Sequence, residues 1–121
     1  MAYVGDGNNM ANSLALLAAV LGMTLRLATP KTHRLNAEVM ARAENLARGS
    51  GATISWSEDP REAVSDADFV YTDTWTSMGQ EEEMELRRQI FASYQVNAEL
   101  LEAAPKAYVM HCLPAHRGEE I

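Results

Sequence analysis

Cysteine is almost missing from this sequence, since Cys112 is the only one in 121 residues. One cysteine cannot form a disulfide within the chain, which favours a reducing compartment, the cytoplasm. Long hydrophobic runs are missing as well: the longest, Leu14 to Leu21, has eight residues. A membrane span needs about 20, and no basic segment of the kind found in signal peptides precedes this run. The sequence therefore predicts neither a membrane span nor a signal peptide.

Basic residues are in the minority. Ten lysines and arginines against 17 aspartates and glutamates give a net charge of −7. This charge repels phosphate backbones and anionic lipid, so we expect neither nucleic acid nor a membrane surface among the partners. The hydrophobic fraction of 47% and the charged fraction of 22% are typical of globular proteins, which argues against a disordered chain.

The length corresponds to one domain, which we place at residues 1–121. The sequence begins almost directly on the strand-like segment AYVGDG and stops in GEEI, where a further helix is expected to start. We interpret the chain as a piece of a larger protein.

Apolar runs alternate with helical stretches along the chain. The predicted strands are Ala2–Gly5, Thr24–Ala28, Thr53–Trp56, Phe69–Thr72 and Ala107–Met110. The predicted helices are Met10–Leu21, 36–48, Pro60–Ser65, Glu81–Ala92 and Asn97–Ala103. This alternation predicts an α/β fold, a doubly wound parallel sheet of five strands in the order 3-2-1-4-5 with helices on both faces.

The predicted topology locates a site. Strands 1, 4 and 5 lie side by side in such a sheet, and ligands bind beyond their carboxyl ends at the switch point. The loops that follow these strands are Gly5–Asn9, Asp73–Gly79 and His111–Arg117. Polar residues that are distant in the sequence are therefore expected to meet in one crevice.

The first loop, GDGNNM, fits a dinucleotide-binding turn poorly. Met10 stands where the third glycine is needed, and no acidic residue follows the second strand to bind a ribose hydroxyl. We instead expect Asn9 to bind the carboxylate of a small ligand near a helix N-terminus. Alternatively, Asn8 and Asn9 only cap the helix.

The second loop, DTWTSMGQEEE, places Asp73 at the end of a buried strand. A carboxylate there suits an ammonium group, while Ser77 and the backbone amides around Met78 suit a carboxylate. Together these groups predict recognition of a zwitterionic α-amino acid. Alternatively, Asp73 only closes the loop and Met78 fills a gap in the core.

The third loop, HCLPAHRGEE, invites two readings, a thiol nucleophile paired with histidine or a zinc site. Zinc would need His111, Cys112 and His116 together with a further ligand such as Asp73, and we expect no metal. His111 is predicted to point to the face opposite Cys112, because neighbouring side chains of a strand alternate. The proline of Leu113-Pro114 keeps the preceding residue out of helix and turns the Cys112 and Leu113 carbonyls into the crevice, where they can hold an amine.

Taken together, the three loops resemble the ornithine-binding half of the ornithine carbamoyltransferases. The segments GDGNN, DTWTSMGQE and HCLPAHRGEE occur in the order and spacing of that family, and the resemblance covers all 121 residues. The D-x-x-x-S-M-G pattern is specific, because related transcarbamylases that act on aspartate or putrescine lack the S-M-G loop. The resemblance implies synthesis of citrulline and phosphate from ornithine and carbamoyl phosphate in arginine metabolism, without a cofactor.

The resemblance also implies roles for individual residues. Asn9 and the Ser77-Met78 segment would hold the ornithine carboxylate and backbone, and Asp73 would hold the α-ammonium group. Cys112 and Leu113 would lie beside the δ-amine and the carbamoyl group. The residues expected to be catalytic are Asp73 and Cys112, with the thiol in ligand contact rather than as nucleophile.

Two motifs of the family, S-T-R-T and H-P-x-Q, do not occur in this sequence. They belong to the carbamoyl-phosphate-binding half, which is expected to be absent here. The resemblance implies a homotrimeric complete enzyme, built largely by that other half. Two alternatives stay open: a stand-alone amino-acid-binding module without catalysis, and an NAD-dependent oxidoreductase domain.

Overall fold

The computed structural model describes residues 1–76 and 83–121. In this part of the chain five parallel strands form one sheet, in the order β3-β2-β1-β4-β5. The strands are β1 Ala2–Val4, β2 Thr24–Ala28, β3 Thr53–Ser57, β4 Phe69–Thr72 and β5 Tyr108–His111. The helices are α1 Asn9–Leu21, α2 Ala37–Ser50, α3 Pro60–Val64, α4 Met84–Phe91 and α5 Ala98–Leu101. The predicted fold class and strand order are confirmed.

Polar caps fix where the helices begin. The side chains of Asn36, Asp59 and Asn97 accept hydrogen bonds from the first free backbone amides of α2, α3 and α5. Helix α2 runs two residues further than predicted and stops at Gly51, whose φ of 80° suits a left-handed cap. Residues 81 and 82 of the predicted helix Glu81–Ala92 lie outside the described residues. None of the helices in the described ranges has the length and apolar character needed to cross a membrane.

The core lies on both faces of the sheet, because successive strand residues point to opposite sides. Ala2 and Val4 of β1 pack with residues from α3, α4 and α5, including the buried Phe91. Tyr3, between them, packs with the small residues of α1 and α2 on the other face. Helices therefore cover both faces, as the doubly wound topology requires.

The register of the central strands aligns the carboxyl ends of β1, β4 and β5. Val4 of β1 pairs with Thr72 of β4, and Thr72 pairs with His111 of β5. The residues just beyond these positions therefore leave the sheet at one edge. Asp73 and Cys112 are the first residues after β4 and β5.

Gly7 holds the loop after β1 against a 3-10 turn at Lys31–His33 that the sequence did not signal. Its N–H donates to the carbonyl of His33 at 2.9 Å. A Cβ atom on residue 7 would lie 2.4 Å from the carbonyl carbon of Arg34, closer than backbone atoms can approach. Only glycine fits this contact, which fixes the path of the chain toward α1.

Candidate functional site

Asn8, rather than Asn9, caps helix α1. Its Oδ1 accepts from the backbone amides of Met10 at 3.0 Å and Ala11 at 3.1 Å. Because Oδ1 is engaged in this way, Nδ2 is directed across the sheet edge, where it donates to Oδ2 of Asp73 at 2.8 Å. Asn9, one residue further, is the exposed first residue of the helix. The two candidate asparagines therefore have different positions, one as the helix cap and one as the exposed first residue of the helix.

Asp73 lies at the centre of the site. Its Oδ1 accepts from the backbone amide of Thr74 at 2.7 Å and from the Cys112 thiol at 2.9 Å, in addition to the Asn8 bond at Oδ2. All three donors are neutral, and no ion pair among the described residues includes Asp73. This half-buried carboxylate has no cationic partner among the described residues, so it can pair with a cationic ligand.

Cys112 is exposed, and its thiol donates to Asp73. Burial of the sulfur, followed by the bond to Asp73 and the charge of that carboxylate, raises the pKa of Cys112 above its ordinary value. A raised pKa keeps the thiol protonated at neutral pH, and a protonated thiol is a poor nucleophile. This arrangement suits a residue that lines a ligand site.

His111 corrects one prediction. Its side chain does not point away from the site: ligand atoms of Asp73, His111 and Cys112 lie within 4.8 Å of one another. The reason is that β5 ends at His111, so the strict alternation of a strand no longer applies to Cys112. The ring Nδ1 accepts from the backbone amide of Leu113 at 2.8 Å, and Nε2 lies 2.9 Å from Oε1 of Glu120.

The same three side chains are those named in the zinc alternative, whereas His116 does not join their cluster. Both ring nitrogens of His111 already have hydrogen-bond partners, and the Cys112 thiol is bonded to Asp73. A metal ion would have to displace these bonds.

Leu113 takes a left-handed backbone conformation with φ of 60°, and the bond to Pro114 is cis. The φ of Leu113 lies outside the right-handed helical region, as predicted for a residue before proline. A positive φ is uncommon for a leucine and occurs where surrounding contacts impose it. Ser77 and Met78, the remaining predicted site residues, lie outside the described residues.

Besides Asp6, two buried charged residues were missed by the sequence analysis. Arg87 of α4 forms an ion pair with Asp6 of the loop after β1, and its side chain is 5% exposed. Its Nε also donates to the carbonyl of Trp75 at 2.6 Å. The pair therefore ties the first loop to the loop that carries Asp73. The sequence did contain a pattern that indicates burial of Arg87. Met84 and Phe91, three residues before it and four after it, lie on the same face of the helix.

Glu120 is the second missed residue, and it is fully buried. The sequence analysis had treated its segment only as the start of a further helix. A carboxylate that is sealed from water needs hydrogen-bond partners, and His111 and His116 provide them. The sequence signal was the presence of two histidines within nine residues of an acidic pair.

The fold and site define a doubly wound α/β domain with polar residues gathered at its switch point. Comparison with known proteins specifies the class further: the sequence model of the aspartate/ornithine carbamoyltransferase Asp/Orn-binding domain matches residues 1–121. The chain belongs to this family. The resemblance stated from the three loops is thereby confirmed.

Similar proteins include the ornithine carbamoyltransferase of Listeria innocua, 55% identical over all of this chain and 39% of that protein. The ornithine carbamoyltransferase of Archaeoglobus fulgidus is 51% identical and is covered over 38% of its length. Among solved structures, the anabolic enzyme of Campylobacter jejuni superposes with a TM-score of 0.95 at 42% identity, over 98% of this chain and 40% of that one. The chain thus spans about two fifths of the length of these relatives.

Proposed function

We propose that this chain is the ornithine-binding domain of an ornithine carbamoyltransferase. The reaction transfers the carbamoyl group of carbamoyl phosphate to the δ-amine of ornithine, which gives citrulline and phosphate. The observation that carries the proposal is the Asp73 carboxylate, held by three neutral donors at the sheet edge beside Cys112. It supports recognition of the α-ammonium group of an amino acid.

The substrate is oriented by groups on both sides of Asp73. Asn9, at the exposed start of α1, and the Ser77-Met78 segment bind the α-carboxylate, which the positive end of the helix dipole also favours. With the α-carbon fixed in this way, the side chain of ornithine extends toward Cys112 and Leu113. The backbone carbonyls of these two residues accept hydrogen bonds from the δ-amine.

The transfer itself needs no covalent intermediate on the protein. The lone pair of the deprotonated δ-amine attacks the carbamoyl carbon, and the bond from that carbon to the phosphate oxygen breaks with its electron pair on the phosphate. The proton that the nitrogen loses passes to the phosphate. The domain contributes by holding the amine in line with the carbamoyl carbon. The raised pKa of Cys112 supports a thiol that contacts the substrate without attacking it.

Carbamoyl phosphate must be bound mainly by another part of the complete enzyme. A dianionic phosphate requires several convergent basic groups, and the S-T-R-T and H-P-x-Q motifs of the family do not occur in this chain. We therefore assign residues 1–121 to ornithine and the remaining part of the enzyme to carbamoyl phosphate and to a homotrimer interface. The low cysteine content supports the cytoplasm as the location.

Citrulline synthesis by the complete protein tests this proposal. We expect citrulline and phosphate to form in equal amounts, and we expect the isolated 121-residue chain to form neither. Calorimetry with ornithine, citrulline and NAD then separates the alternatives. Ornithine binding without turnover in the complete protein would indicate a binding module, and NAD binding would indicate an oxidoreductase domain.

Replacing Cys112 by serine in the complete enzyme distinguishes ligand contact from nucleophilic attack. We expect kcat/KM for ornithine to fall by less than about tenfold, because the hydroxyl still donates to Asp73. Ionisation of the wild-type thiol, whose pKa is raised, should produce a step at alkaline pH that the serine variant lacks. Steady-state kinetics across pH measures both effects.

The opposite outcome has a clear signature. If the thiolate attacked the carbamoyl carbon, Cys112→Ser would nearly abolish turnover, and the wild-type enzyme incubated with carbamoyl phosphate alone would carry a carbamoyl group on Cys112. Mass spectrometry of the peptide that contains Cys112 detects that adduct.

A further inference from the structure

The segment after β5 turns back on itself and brings Glu120 beneath the site. Its backbone is anchored elsewhere: the carbonyl of Glu120 accepts from the amide of Val96 at 2.9 Å. Its neighbour Glu119 pairs with Arg88 of α4 at 2.6 Å. The Val96 bond holds the backbone of Glu120 in place, whereas the Glu119–Arg88 pair is exposed at the surface. The Glu120 side chain is thereby directed toward the end of β5.

The carboxylate of Glu120 has two hydrogen-bond donors. Its Oε1 lies 2.9 Å from Nε2 of His111 and 2.6 Å from the backbone nitrogen of His116. Its Oε2 has no hydrogen-bond partner among the described residues and lies 3.6 Å from Nδ1 of His116. Because Glu120 is fully buried, these two donors replace the hydrogen bonds that its carboxylate would otherwise accept from water.

The bond to Glu120 sets the state of the His111 ring. Nδ1 accepts from the Leu113 amide, so in the neutral ring the proton is on Nε2, which donates to Glu120. The ring is therefore fixed at both nitrogens. One side is attached to the buried carboxylate, and the other determines where the Leu113 amide lies.

Cys112 is between the two residues that this ring connects. His111 precedes it, Leu113 follows it, and the His111–Leu113 bond closes a tight turn around it. That turn directs the Cys112 sulfur to Asp73 at 2.9 Å and holds Leu113 at its φ of 60°. A free loop would not keep leucine in this conformation.

We infer that Glu120 is a positioning residue for the ornithine site, acting through the His111 ring on Cys112 and Leu113. This role rests on the proposed function. Glu120 does not touch the substrate. It holds the two residues whose thiol and carbonyl groups face the δ-amine, and it leaves the binding of carbamoyl phosphate to other parts of the enzyme.

The test uses the complete protein with Glu120→Ala, which removes the acceptor, and Glu120→Gln, which keeps it. The side-chain oxygen of a glutamine can still accept from His111 and from the His116 amide. Its NH2 group would then take the place of Oε2, near Nδ1 of His116. Glu119→Ala is the matched control, because Glu119 is adjacent, pairs with Arg88 and has no hydrogen bond or ion pair with His111 among the described residues.

We expect Glu120→Ala to raise KM for ornithine by about 10- to 100-fold, since a displaced binding group costs on that order. In this variant, KM for carbamoyl phosphate should stay within about threefold of the wild-type value. In Glu120→Gln and Glu119→Ala, KM for both substrates should stay within about threefold of the wild-type values. If Glu120→Ala does not fold, His111→Gln replaces it: its amide can reach Glu120 but not the Leu113 amide, and the same selective loss is expected.

A second measurement does not depend on activity. Iodoacetamide alkylation of the Cys112 peptide, followed by mass spectrometry, reports whether the thiol is still held at Asp73. We expect alkylation at least about threefold faster in Glu120→Ala than in the wild type or Glu119→Ala, because a released thiol ionises more readily. If the complete wild-type protein makes no citrulline, the proposed function fails, and this rate still tests the positioning role.

Each of the following results would overturn the inference. They are unchanged ornithine KM and alkylation in Glu120→Ala, an equal rise in KM for both substrates, or the same selective loss in Glu119→Ala. An effect of Glu120→Gln as large as that of Glu120→Ala would also overturn it, because the acceptor geometry is retained in glutamine.

Discussion

Replacing Asp73 by asparagine is expected to lower kcat/KM for ornithine by a factor of roughly 30 to 1000, which corresponds to about 2–4 kcal/mol of lost charge-assisted bonding. Under the proposed function, the substitution removes the charge that holds the α-ammonium group. The substitution also creates a mismatch, because the Asn8 Nδ2 that donates to Asp73 cannot turn around while its Oδ1 caps α1. Steady-state kinetics of the complete enzyme, with each substrate varied in turn, measures the loss.

The double variant Asn8→Asp/Asp73→Asn is the control for that mismatch. An aspartate at residue 8 can still cap the helix and can now accept from the amide of residue 73. We expect the free energy of unfolding to recover toward that of the wild type, while kcat/KM for ornithine stays low because the charge has left residue 73. An equal loss for ornithine and carbamoyl phosphate in Asp73→Asn would mean that Asp73 supports the fold rather than the amino acid.

Replacing Arg87 by methionine is expected to destabilise the 121-residue chain by about 3–5 kcal/mol, because Asp6 then becomes a buried charge without a partner. Methionine approximates the length of the side chain but cannot donate to Asp6 or to the carbonyl of Trp75. Chemical denaturation at neutral pH measures the difference. The Asp6→Asn/Arg87→Met variant should recover much of it, since no buried charge remains.

The pH dependence of this effect has a definite sign. Burial raises the pKa of Asp6 above its ordinary value, although the charge of Arg87 opposes that shift. The ionised form of Asp6 therefore costs folding free energy as pH rises from the unfolded-state pKa through the folded-state pKa. Loss of Arg87 raises the folded-state pKa further, so Arg87→Met should be less destabilising in acid, where Asp6 is protonated. Equal destabilisation at both pH values would contradict this account.

Much of the architecture was predictable from local signals. Helical spacing and short apolar runs located the helices and strands of the described residues, with differences of a few residues at their ends. The order 3-2-1-4-5 then followed from the rules for parallel sheets, and it was enough to gather Asp73 and Cys112 at one edge. The helices and strands depend on residues close together in the sequence, and the strand order depends on general rules of topology.

The contacts that hold the site in place were not predictable in the same way. The Asp6–Arg87 pair joins residues 81 apart, and the burial of Glu120 depends on a backbone bond to Val96. Neither follows from helical or strand periodicity. The orientation of His111 was also wrong in the sequence analysis, because a strand rule was applied one residue beyond the end of β5. Local patterns and topology bring Asp73 and Cys112 to one edge of the sheet, but they do not give the contacts that support these residues.

The distances along the chain between contacting site residues have a consequence for folding. Asn8 and Asp73 are 65 residues apart, and Asp73 and Cys112 are 39 apart. Closing loops of this length costs entropy that is recovered only when the intervening strands have paired. The crevice is therefore assembled late, after β1, β4 and β5 have come together, and a nascent chain acquires it only once residue 112 has left the ribosome. Hydrogen exchange should accordingly find the amides of Thr74 and Leu113 opening together with the central strands.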